Sequence, residues 1–195
     1  MRVVVTGAGG QLGREVVDAF TAAGPHHEVL ACSRDELDVG DRDACQQVIG
    51  TFAPDAVVHA AAWTDVDGCQ TDPDRAWRAN AIGTRHVAEA ARRVGASVCY
   101  LSTDYVFDGT SDRPYQEWDD TNPLSVYGRS KRAGESALGS DDTVVRTSWV
   151  CGRTGRNFVK TVLRVVGAGN EMKVVDDQHG CPTFADDLAG MIYRL

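Results

Sequence analysis

The sequence predicts an α/β chain built on a doubly wound parallel sheet. Three observations carry this. Short β-branched runs alternate with stretches of helical periodicity along the chain. The first run, Arg2–Thr6, is a continuous β-branched run without alternation, the mark of a strand buried on both faces. Glycines spaced three apart follow it directly and open a helix.

The elements follow in order. After the first strand, Leu12, Val16, Val17 and Phe20 have helical spacing over residues 11–23, and Gly24-Pro25 ends the helix. Glu28–Cys32 reads as the second strand. Asp41 is placed to cap a helix that runs through Phe52, and Asp55–His59 is the third strand. Asp72-Pro73 is a cap and first-turn pair that opens one long helix to Val94, stopped by Gly95. Ser97–Ser102 is the fourth strand. Residues 103–124, rich in Asp and Pro, form a long loop of the kind that is usually functional. A helix covers 125–138, and Thr143–Ser148 is the fifth strand. A helix over 157–167, a sixth strand at Met172–Asp176 and a helix from Phe184 onward complete the reading.

Composition bounds the function. The 195 residues carry 28 acidic against 20 basic side chains, a net charge of −8, which argues against a general nucleic-acid binder. No apolar run is long enough to span a membrane, and the N-terminal Val run is too short for a secretory signal. The six cysteines are scattered without a C-x-x-C, as in a cytoplasmic protein with free thiols.

In a doubly wound sheet, ligands bind at the carboxyl ends of the strands, so the loops after strands one to five hold the candidates. Gly7, Gly10 and Gly13 give a tight turn, a close approach for a pyrophosphate, and close helix–strand packing. Gln11 and Leu12 then sit at a helix N-terminus whose free N–H groups face the phosphates. This is the dinucleotide-binding arrangement of a Rossmann fold. Ser33 and Arg34 stand where the adenosine ribose would lie. An Arg there suits NADP, whereas the neighbouring Asp35 suits NAD, so both remain open with a lean to NADPH. Asp38 and Val39 are placed beside the adenine, and Arg14 offers a second phosphate contact.

Tyr127 and Lys131 form Y-x-x-x-K, which puts both on one helix face. An ammonium near a phenol lowers the phenol's pKa, so Tyr127 is expected to donate a proton to a carbonyl oxygen as hydride arrives at carbon. Ser102 and Thr103, at the end of the fourth strand, are expected to hydrogen-bond that carbonyl.

These motifs, with Ala60–Asp67 (AAAWTDVD), Ser102–Gly109 (STDYVFDG), Pro123–Glu135 (PLSVYGRSKRAGE) and Val174–Thr183 (VVDDQHGCPT), span nearly the whole chain. The sequence resembles the extended short-chain dehydrogenase/reductases, and within them the dTDP-4-dehydrorhamnose reductases. The resemblance implies reduction of the 4-keto group of a dTDP-sugar by NAD(P)H. It makes Tyr127 the proton donor, Lys131 its tuner and a ribose ligand, and Thr103 (with Ser102 or Asp104) the carbonyl partner. It implies that Ala60, Ala61 and Ala62 let the cofactor pass close, that Thr64, Asp65 and Val66 touch cofactor and sugar, and that Trp149 packs on the deoxysugar. Arg153 or Arg156 is expected to hold the sugar diphosphate. No catalytic metal is expected. The resemblance admits a structural Mg²⁺ at Glu15 and a homodimer. Rival readings are another nucleotide-sugar 4-ketoreductase or epimerase, and a non-catalytic NADP-binding regulatory subunit. The expected division is a cofactor domain over 1–170 and the start of a substrate-binding region over 171–195, most of that region being absent from a chain of this length.

Overall fold

The computed structural model describes residues 1–195. Five parallel strands form the sheet: β1 (Arg2–Thr6), β2 (Glu28–Cys32), β3 (Ala56–His59), β4 (Ser97–Thr103) and β5 (Thr143–Thr147). Their order across the sheet is β2-β1-β3-β4-β5. The chain therefore steps outward to β2 and then restarts on the other side of β1. The resulting switch point lies between Thr6 and His59, which are register partners at the carboxyl ends of β1 and β3.

Side chains on successive strand residues point to opposite faces, and both faces are covered. Val4 and Val57 pack with Ile49, Val87 and Ala91 of α2 (Arg42–Phe52) and a later helix, α5 (Gly83–Val94). Val3, Val5 and Val58 pack with Val16 and Phe20 of α1 (Gln11–Ala22) and with Leu188, Ala189 and Ile192 of the last helix, α8 (Ala185–Arg194). This two-sided burial explains the unbroken Val run of β1. α8 starts where expected, and it shares a core with the first strand.

Local signals held where a side chain satisfies the backbone. Asp41 accepts from the Ala44 N–H at 3.0 Å and caps α2, and Gly95 ends α5 with φ +77°. Three spans differ from expectation. The region after Asp72 is three segments: α4 (Pro73–Ala76), a wide π turn (Trp77–Ile82), then α5. Asp72 caps α4 as predicted, through the Arg75 N–H at 3.1 Å. The π turn carries Asn80 inward to full burial, where its amide holds Trp63. A short helix before it, α3 (Val66–Thr71), was not expected. Asp65 caps it by accepting from the Gly68 N–H at 3.0 Å.

Met172–Asp176 is not a strand. A strand needs a ladder partner, and β5 remains the edge of the sheet with nothing added to it. Val174 and Val175 are exposed instead. Two two-residue strands, β6 (Val150–Cys151) and β7 (Thr183–Phe184), pair outside the main sheet and flank this region. α7 (Phe158–Gly167), capped by Asn157, lies where predicted but buries no residue fully, and Phe158, Val159, Leu163 and Val166 are exposed. No helix is long and apolar enough to cross a membrane.

Candidate active site

A cavity of about 800 Å³ opens at the switch point. It brings together Gly7, Gly10, Ser33, Arg34, Asp38, Val39, Ala60, Ala61 and Ala62, nine of the positions expected to meet a dinucleotide. Gly7 adopts φ +69°, and a Cβ there would lie 2.7 Å from the Ala61 backbone. A Cβ on Gly13 would run into the carbonyl of Gly7. The backbone thus folds to leave space that side chains would fill. Gly10 caps α1 with no side-chain hydrogen bond, and the first turn holds no acid. The N–H groups of that turn are therefore available to an anion. These features fit a dinucleotide pyrophosphate, and Arg34 fits an added phosphate on the ribose.

The side chains of Leu12 and Gln11 have partners of their own, apart from the N–H groups of this turn. Leu12 packs against the core beneath β1. Gln11 donates to the Val150 carbonyl at 2.8 Å and accepts from Asn157 at 2.8 Å, tying α1 to the segment after β6. Trp63, Asp74, Arg75 and Arg78 also line the cavity. They come from the loop after β3, from α4 and from the π turn, and have no local sequence signal. Arg75 lies 4.2 Å from the Trp63 ring centroid, and Arg78 approaches Asp38 at 3.8 Å.

Tyr127 and Lys131 project from α6 (Val126–Glu135), whose cap is Ser125 accepting from the Gly128 N–H at 3.0 Å. Gly128 lets α6 sit on the Tyr105 carbonyl, which a Cβ would strike. That approach sets the Tyr105 and Tyr127 rings 5.6 Å apart, edge to face. Tyr127 is 8% exposed. Burial pushes its pKa up to about 12, with the Thr103 hydroxyl pulling the other way. The expected depression by Lys131 is absent. The Lys131 amine donates to the Leu101 carbonyl at 2.6 Å instead and lies 4.2 Å from the Tyr100 ring centroid. Its own pKa is pushed down by burial to about 7, with Glu135 opposing.

Thr103 donates to Asp104 at 3.1 Å and accepts from the Tyr105 N–H. Burial raises the Asp104 carboxyl, again with Thr103 opposing. Ser102, expected to reach substrate, donates to Glu135 at 2.5 Å. Glu135 also takes two bonds from Arg146, at 3.0 and 2.8 Å. Val66 packs in the small cluster around Tyr127, whereas Thr64 and Asp65 are exposed and Asp65 is engaged as the α3 cap. Trp149 is half-exposed at φ +46°, an uncommon backbone state for a large residue, and a Cβ on Gly180 would meet its indole at 2.9 Å. Arg153 is exposed and approaches buried Glu15 at 3.7 Å. No group of three or more His, Cys, Asp or Glu side chains is arranged to hold a metal ion.

The family described as the RmlD substrate binding domain matches residues 1–195. The chain belongs to that family. A dTDP-4-dehydrorhamnose reductase of Sinorhizobium fredii is 45% identical over all of this chain and 66% of its own length. The Bacillus subtilis spore coat polysaccharide biosynthesis protein SpsK is 42% identical over all of this chain and 69% of its own. The solved structure of a Bacillus anthracis dTDP-4-dehydrorhamnose reductase in complex with NADP superposes with a TM-score of 0.93 at 40% identity, covering 99% of this chain and 69% of that one. The chain thus spans about two thirds of the length of these relatives. RmlD-family membership fits the doubly wound parallel sheet and a nicotinamide cofactor at the switch-point cavity.

Proposed function

We propose that this chain carries the cofactor and catalytic machinery of a reductase for the 4-keto group of dTDP-4-dehydrorhamnose, yielding dTDP-L-rhamnose. The observation that carries the reading is that Tyr127 is buried in a cluster against which Trp63 packs, and Trp63 also lines the switch-point cavity, while Thr103 and Asp104 are hydrogen-bonded to each other at the end of β4. The nicotinamide ring, when bound, supplies the hydride. Tyr127 is protonated at neutral pH, as any phenol is, and is the acid at the keto oxygen; its burial makes it a weaker acid than a free phenol. Thr103 orients that oxygen by turning its one hydroxyl hydrogen from Asp104 to it. Lys131 would hold the nicotinamide ribose; its amine otherwise donates to the Leu101 carbonyl. Ser102 acts at one remove, by holding Glu135.

NADPH is the preferred donor on this reading, with Arg34 facing the extra phosphate and Ser33 beside it. Thr64, Val66 and Trp149 form the sugar side. Residues 1–170 hold the cofactor, and the exposed stretch before α8 begins the substrate side, where Trp149 rests on Gly180. The deciding experiment follows dTDP-4-dehydrorhamnose-dependent oxidation of NADPH and NADH by the wild-type chain and Tyr127→Phe. Oxidation that survives in Tyr127→Phe overturns the mechanism. Turnover of a UDP- or GDP-linked 4-ketosugar in place of the dTDP-sugar overturns the substrate.

A further inference from the structure

His59, the last residue of β3, is fully buried among polar partners that the reaction itself does not use. Its Nδ1 lies 2.7 Å from Thr6 Oγ1 and its Nε2 lies 3.1 Å from Thr84 Oγ1. Donor accounting fixes which nitrogen carries the proton. Thr84 Oγ1 is 2.6 Å from the Asn80 carbonyl oxygen, which can only accept, so the single hydroxyl hydrogen of Thr84 goes there. Thr84 must then accept from His59, which puts the ring proton on Nε2. Nδ1 is left as an acceptor and takes the Thr6 hydroxyl hydrogen. Thr6 Oγ1 in turn accepts from the Ala61 N–H at 3.4 Å. Every hydrogen in this line is used once, and both ring nitrogens are satisfied.

The line ends at the two halves of the site. Thr6 immediately precedes Gly7, and Ala61 lines the cavity. At the other end, the Asn80 side chain accepts from the Trp63 N–H at 2.8 Å and donates to the Trp63 carbonyl and to Ser130 Oγ. Ser130 donates to the Tyr127 carbonyl at 2.8 Å. The imidazole also stacks on Tyr100, 5.4 Å between centroids, the ring over which Lys131 rests. Burial, reinforced by Lys131, pushes its pKa down to about 3.

We propose that His59 is a positioning residue. As a neutral Nε2–H imidazole it holds the cofactor wall at Ala60–Trp63 in register with the helix that carries Tyr127 and Lys131. The proposal rests on the reading of the cavity as a nicotinamide-dinucleotide site.

The test uses the full chain. Long-range ¹H–¹⁵N spectra of the wild type should show His59 protonated at Nε2 and not titrating between roughly pH 5 and 8, where free histidines change charge. NADPH affinity is then read by fluorescence for His59→Phe, His59→Gln and Thr84→Val, at a temperature where near-UV circular dichroism shows each folded. His59→Phe keeps the ring stack and loses both bonds. It should bind about fivefold more weakly, the scale of one ordinary hydrogen bond. His59→Gln offers an acceptor and a donor and should restore most of that loss. If His59→Phe does not fold, Thr84→Val decides, with the same direction expected. An Nδ1–H tautomer, a titration near the free value, or wild-type NADPH affinity in both His59→Phe and Thr84→Val overturns the proposal. Failure of the wild type to bind either nicotinamide overturns the cavity reading as well, which separates the two failures.

Discussion

The amine of Lys131 sits 4.2 Å from the ring centroid of Tyr100, on the side of α6 that faces β4. A buried ammonium in that place costs stability. Burial pushes its pKa down to about 7, below an unfolded value of about 10.4. Between those values the unfolded chain binds the proton and the folded chain does not, so stability rises with pH across that window. Below pH 7 both states are protonated and the full penalty remains. Lys131→Met removes the charge and keeps much of the shape. The variant should be more stable than wild type at pH 6, and its advantage should shrink by about 1.4 kcal/mol per pH unit from pH 7 upward. Urea unfolding at pH 6, 8 and 9.5 reads this directly. A constant difference across the three would refute it.

Tyr127→Phe should leave the cavity intact, because the phenol makes no hydrogen bond to the cofactor wall and its ring packs against Tyr105. Turnover should fall by roughly 10²–10⁴, the range for losing a positioned acid. NADPH affinity should stay within about twofold, since less than one ordinary hydrogen bond is at stake. Steady-state rates and fluorescence titration separate the two. A parallel loss of both would mean that Tyr127 serves the fold.

Most of the fold was legible because its signals are local. The β1 run, the Asp41 cap and the Gly95 stop each act within a few residues, and each appears as read. The misses depend on distant partners. Val174-Val175 has strand composition, but a strand exists only where a neighbour offers a ladder. The π turn at Trp77–Ile82 answers to Trp63, and the helix propensity of those residues says nothing about it. The site divides in the same way. Gly7, Gly10 and Gly13 are set by spacing, whereas Ser102 turns to the Glu135 carboxylate and Gln11 to the Val150 carbonyl, groups far away in the chain. Arg75 and Arg78 reach the cavity only through the packing of α4 and the π turn.

Glu135 shows how such a distant tie can be tested. Its carboxylate is buried and takes bonds from Ser102 and from Nε and Nη2 of Arg146. Arg146 in turn lies 5.1 Å from the Phe107 ring centroid and donates to the Glu117 carbonyl, holding the long loop. Glu135→Leu leaves Arg146 partly buried and unpaired. It should cost about 3 kcal/mol, the low end for breaking a buried pair because Arg146 keeps some solvent contact. Adding Arg146→Met should recover part of that loss. A double variant no better than Glu135→Leu alone would mean that the pair is not coupled.

Two glycines in helices make opposite predictions from the same substitution. Gly13 in α1 has no room, since an added Cβ meets the Gly7 carbonyl and the Ala8 Cα. Neither is a flexible side-chain end, so the phosphate loop must move away from the helix. Gly13→Ala should destabilise by roughly 1–3 kcal/mol, as overpacking does. It should also weaken NADPH binding by tenfold or more, on the scale of about 1.4 kcal/mol of misplaced backbone contacts. Gly50 in α2 is exposed, and a Cβ there meets nothing within 4 Å. Its cost to the helix is only the backbone freedom of glycine, so Gly50→Ala should stabilise by about 0.5–1 kcal/mol and leave NADPH affinity unchanged. Thermal melting and fluorescence titration of the two variants side by side check both signs. If Gly13→Ala bound NADPH as the wild type does, the close packing of α1 on the loop would not be what shapes the phosphate site.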